Sequence, residues 1–148
     1  MASVNTLSWR RRWSAIPLRL IVGYGFFAHG LAKVMNGPSH FADSLQALGV
    51  PAARVMAWLT IGFELAGGLA VLAGVWIPLV SVPLAAILVV AAITVHLPYG
   101  FSSIKLRAVT KDGPQFGPPG YEVNLLYLAA LATLVLGNDS RTPPEPEE

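Results

Sequence analysis

The chain has 148 residues, of which 54% are hydrophobic and 12% charged, with a formal charge of +2 and no cysteine. Soluble domains carry about 25% charged residues, so a mean hydropathy of +0.58 points to a bilayer protein and argues against a soluble enzyme, a disordered chain or a fibrous repeat. The missing cysteines remove disulfides, thiolate chemistry, iron–sulfur clusters and cysteine-bound zinc, and scattered basic residues leave no nucleic-acid footprint.

Residues 1–15 read as a basic N-terminus because Arg10, Arg11 and Arg12 stand just before the first apolar stretch. That stretch contains Arg19, His29 and Lys33 and no small-x-small cleavage site, so it reads as a retained helix and not a signal peptide. A spanning helix needs about 20 apolar residues, and four candidates follow in order: 16–35, 55–75, 78–96 and 119–137. The fourth is densest only from Val123 to Leu136 and must recruit its flanks. Pro78 suits a first turn, whereas Pro83 frees the carbonyl of Leu79 and predicts a kink.

The connections differ in kind. Trp76 and Ile77 make so short a link that the second and third helices must be antiparallel neighbours. In the first loop, Ser39 is placed to cap a short interfacial helix from His40 to Leu48, with Phe41, Leu45 and Leu48 on one face and Gly49 as terminator. The third loop, Leu97 to Gly120, holds four glycines and four prolines with Lys105, Arg107, Lys111 and Asp112. So long a loop predicts structure of its own: a small hairpin turning at Asp112-Gly113, or a lid over the bundle. Residues 138–148 have nothing to bury and read as a disordered tail. The fold expectation is an all-α membrane protein, a four-helix bundle over residues 16–137. With four spans both termini share a side, and the arginine cluster places them in the cytoplasm.

Ionisable groups inside a bilayer are costly and are functional hypotheses by default. Arg19 lies near its helix end and is expected to snorkel to the headgroups. Glu64 is about 14 Å deep, close to the midplane of a core roughly 30 Å thick. It is either held neutral or has a partner on another helix, for which His29 is a candidate. Gly67 and Gly68 notch the same face one turn on, admitting a neighbouring helix or a ligand. On the other side, Gly62, Ala66, Ala70 and Gly74 form a small-xxx-small row suited to helix packing. His29 and Lys33 share a helical face, His96 closes the third helix and Glu122 opens the fourth. Alternating spans bring His29, Lys33, Glu64, His96 and Glu122 toward one half of the bundle, as a polar latch fixing register or as a ligand site. No His-x-x-x-His or similar spacing supports a metal, and two lone histidines are weak grounds for haem. The Trp residues with Tyr99, Tyr121 and Tyr127 read as interface anchors.

Four short motifs together resemble the DoxX family: Phe27-Ala28-His29-Gly30-Leu31-Ala32-Lys33, Phe63-Glu64-Leu65-Ala66-Gly67-Gly68, Thr94-Val95-His96-Leu97-Pro98-Tyr99-Gly100-Phe101 and Gly120-Tyr121-Glu122-Val123-Asn124-Leu125-Leu126. The resemblance spans about residues 16–137. It implies a four-helix protein of the bacterial cytoplasmic membrane, similar to the small membrane subunit of a thiosulfate:quinone oxidoreductase. The family's recurrent polar positions fall on His29, Lys33, Glu64, His96 and Glu122.

Three functions compete. In the first, a redox-linked protein binds a quinone or similar amphipathic molecule. Glu64 and His29 would handle protons, His29 and His96 would hydrogen-bond the carbonyl oxygens, and Lys33 would stabilise a developing anion. No cofactor is identifiable from the sequence, so electrons would come from a bound group or a partner subunit. In the second, a non-catalytic subunit docks a partner through the small-residue row of the second helix. The third, proton-coupled transport, has little room in four helices without an internal repeat.

Overall fold

The computed structural model describes residues 4–139, with side chains from Ala15 to Gly137; the expected disordered tail lies almost wholly outside the described residues. Helix α1 runs Val4–Met35 and starts well before the expected boundary at Ile16. The arginine run holds no helix breaker, and Pro17 is carried inside the helix as a local break in its hydrogen bonding. Its Ala15–Met35 portion is long and apolar enough to cross a membrane.

Helix α2, Pro38–Ala47, fills the first loop. Its cap is Gly37 and not the expected Ser39, because Pro38 occupies the first helical position, where its fixed φ and missing N–H are at home. Gly49 adopts φ +77, and its N–H donates to the Gln46 carbonyl while Val50 donates to that of Leu45, closing the helix as expected. Ala42 is buried and Phe41 and Leu45 half-buried as α2 lies against the next helix.

Helix α3, Ala53–Ala73, and helix α4, Ile77–Ala91, are joined by Gly74-Val75-Trp76, with Gly74 at φ +74 and Trp76 at φ +50. Helix α4 keeps going through Pro83, then loosens into a π turn over Ala92–His96 and tightens into a 3-10 turn over Leu97–Tyr99. At that change of pitch the Ala92 N–H is shared between the carbonyls of Leu88 and Val89. The apolar stretch of this rod is Ile77–Tyr99.

The third loop adds a β element to a fold expected to be all-α. Strands β1, Leu106–Thr110, and β2, Gly113–Phe116, pair antiparallel with Thr110 opposite Gly113. The turn residues are therefore Lys111 and Asp112, one position earlier than Asp112-Gly113. Thr110 sets this register: its hydroxyl donates to the Gly113 carbonyl and accepts from the Asp112 N–H. Backbone bonds from Gly120, Tyr121 and Glu122 to Ser102, Gly100 and Phe101 tie the loop's two ends together. Helix α5, Glu122–Asp139, follows; Pro119, the expected start, stays outside it. Its apolar part, Glu122–Gly137, is shorter than the three stretches of spanning length.

The long helices form a ring in which α1 packs on α3, α3 on α4, α4 on α5 and α5 back on α1. The α1–α3 contact is nearly backbone on backbone, since a Cβ on Gly68 would sit 2.6 Å from the Phe27 nitrogen and 2.8 Å from the Gly23 carbonyl oxygen. The notch beside Glu64 is thus filled by protein: α1 meets Gly68, and Leu84 of α4 packs on Gly67. A buried core of Val22, Phe26, Val71, Ile77, Leu84, Leu131 and Leu134 fills one half of the ring. Outward-facing side chains are apolar too, with Leu20, Ile21, Leu79, Val82 and Leu126 all exposed, which suits lipid as the surrounding solvent.

Candidate functional site

The other half of the ring holds the charge. Lys33 lies in the last turn of α1 and Glu64 at mid-length in α3; the lysine Nζ donates to both carboxylate oxygens, at 2.7 Å to Oε1 and 2.5 Å to Oε2. Glu64 is buried, its side chain 5% exposed, whereas Lys33 is 22% exposed. The partner of Glu64 is therefore Lys33 and not His29. Two features make that choice: Gly30 lets α1 sit on the Cβ of Glu64, and Lys33 has the longer reach. Phe41 of α2 covers the ammonium, its ring centre 5.1 Å from Nζ, a cation–π contact that offsets part of the desolvation.

A cavity of about 280 Å³ opens beside this pair, among α1, α3, α4, the π turn and α5. His29, Lys33, Glu64 and His96 line it, together with Asn124 and Tyr127. His29 is on its exposed rim. His96 is half-buried, with Nδ1 at 3.1 Å from the Pro119 carbonyl oxygen. Glu122 does not join them. Its Oε2 accepts from the Ser103 N–H at 2.9 Å, and the Ser103 hydroxyl bonds the Gly120 carbonyl and the Val123 N–H. Glu122 thus clasps the loop to the start of α5, where a carboxylate suits the helix dipole.

Asn124 carries no charge to mark it in the sequence, although a buried amide in an apolar run is a signal of the same kind as a buried charge. It is 6% exposed and its Nδ2 donates to the Leu88 carbonyl at 3.2 Å, where the helix loosens toward the π turn. Tyr127 is not an interface anchor. Its ring meets Phe26 edge-on at 5.4 Å, and its hydroxyl occupies the space a side chain at Gly25 would need.

Toward the opposite end of the apolar part of α1, Arg19 does not snorkel. Its Nε donates to the Val71 carbonyl at 3.2 Å and its Nη2 to that of Leu72 at 2.9 Å, capping α3 from outside. The guanidinium lies where any side chain at Gly74 would go. Of the small-residue row, Ala70 is buried and Gly74 is taken up by Arg19, while Gly62 and Ala66 are exposed.

The DoxX family model matches residues 14–97, more than half of the chain. The chain belongs to the DoxX family. The matched segment carries Arg19, His29, Lys33, Glu64 and His96; the fourth motif, with Glu122 and Asn124, lies beyond it. No curated protein and no solved structure matches the chain. Family membership and three helices of spanning length together make this a multi-pass membrane protein.

Proposed function

We propose that this DoxX protein crosses the bacterial cytoplasmic membrane four times with both termini inside, α5 completing its span with flanking residues. In this reading its cavity receives the ring head group of a quinone-class molecule. The observation that carries the reading is the coincidence of a cavity of about 280 Å³ with the buried Lys33–Glu64 pair on its wall. Ligand pockets run roughly 300–1,000 Å³, so this one suits one ring and leaves an isoprenoid tail to the lipid. Phe26, Ile87, Leu88 and Val123 offer apolar contact to such a ring. Interconversion of a quinone and its hydroquinone moves two electrons and two protons. Glu64 and His29 would handle the protons, while a partner protein exchanges the electrons.

The test is saturable binding of a ubiquinone or menaquinone analogue by the purified protein, weakened by Glu64→Gln and by His29→Ala. Absence of binding, or affinity indifferent to both changes, would defeat the reading. A second reading, a non-catalytic subunit that docks a partner complex, is supported by the open space around Gly62. A larger complex in mild detergent that Gly62→Leu or Ala66→Leu dissolves would favour it over a ligand site.

A further inference from the structure

Two polar side chains on the cavity wall have already spent a donor on the backbone. The Pro119 carbonyl oxygen, 3.1 Å from His96 Nδ1, can only accept, so a neutral His96 must carry its proton on Nδ1 and leave Nε2 as a bare acceptor. The same logic orients Asn124. Its Nδ2 faces the Leu88 carbonyl, which turns Oδ1 the other way, and Oδ1 accepts no hydrogen bond among the described residues. Glu64 presents a carboxylate, also acceptor-only when ionised. Lys33, the strongest donor on the wall, spends two of its three N–H groups on the oxygens of Glu64. Tyr127 and His29 can turn either way, and the donors left over are the third Lys33 N–H and the second Asn124 N–H, against acceptors on His96, Asn124 and both oxygens of Glu64.

From this balance we infer that the cavity selects the reduced, hydroxyl-bearing form of its ring ligand, a hydroquinone over the quinone. The inference rests on the quinone-class reading above and reverses the expected role of His96 as a donor to a quinone carbonyl. Quinone oxygens only accept, so against His96 Nε2 and Asn124 Oδ1 they would set lone pair against lone pair. Hydroquinone hydroxyls donate, and each would find an acceptor left unpaired by the protein. Sites that hydrogen-bond a hydroxyl reject analogues lacking it, because their own polar groups are then stranded.

The experiment is calorimetric titration of the full chain, in detergent or lipid discs without oxygen, with menadione and with menadiol. The pH is held at about 9, where a free imidazole is neutral. Menadiol is expected to bind about tenfold more tightly, and His96→Phe or Asn124→Leu to pull that ratio toward unity. Circular dichroism checks that each variant folds; if Asn124→Leu does not, His96→Phe decides. Equal affinities in the unmodified protein, tighter binding of menadione, or a preference that survives in the folded variants would overturn the inference while leaving the quinone-class reading standing. Failure of both compounds to bind saturably would overturn that reading and the inference with it.

Discussion

The two ends of the apolar stretch of α1, Ala15–Met35, each send a cation to α3, with opposite consequences. Arg19 meets the last turn of α3, where the ladder of helical donors runs out and the Val71 carbonyl takes only the N–H of the capping Gly74, and spends itself on Val71 and Leu72. Lys33 meets α3 at mid-length, where carbonyls are already bonded within the helix, and so needs the carboxylate of Glu64. Around Arg19 the ring closes over Val22, Val71, Ile77 and Leu134; around Lys33 it stays open as a cavity. Position along the facing helix decides whether an intramembrane cation becomes a cap or part of a polar site.

The sharpest way to break this contrast is to pry α1 off α3, since both cations depend on that contact. Gly68→Leu drives a side chain into the backbone of Phe27 and Gly23, and neither can yield. The expected result is a loss of about 3 kcal/mol or of the folded protein altogether, read from yield and thermal melting in detergent. Glu64→Ala strands Lys33 and should cost about 3 kcal/mol. Combining it with Lys33→Met should recover much of that loss, and a cycle showing no coupling would mean that the pair contributes nothing as a pair. Arg19→Ala removes two hydrogen bonds from a charged donor, with an expected cost of about 2 kcal/mol. If the cap is what holds the α3 end, protection of amides near Gly74 from hydrogen exchange should fall while that near Glu64 stays. Smallest of all, Gly62→Leu points into open space and should leave stability within about 0.5 kcal/mol.

Much of the architecture was legible before any coordinates. Three of the expected apolar stretches fall on helices long and apolar enough to cross a membrane, because a helix that meets lipid must be apolar on nearly every side. The short α3–α4 link and the glycine closing α2 were legible as local backbone chemistry. Local reasoning misplaced the caps and the register. Ser39 lost to the Gly37-Pro38 pair, and the turn moved one residue because Thr110 bonds across it. Depth along α3 singled out Glu64 by counting alone. That its partner is Lys33 depends on how closely Gly30 lets the helices approach, which no count along one helix contains.

By itself the sequence determined a membrane protein whose few buried charges are concentrated toward one end of its helices, since composition and depth are properties of the chain. Tertiary structure alone decided which polar group faces which. It diverted Glu122 to the loop, turned Arg19 into a cap, and brought Asn124 and Tyr127 to the cavity. The physical reason is that hydrogen-bond direction is set by the neighbour's geometry: His96 and Asn124 look ambivalent as residue types, and only the carbonyls of Pro119 and Leu88 make them acceptors.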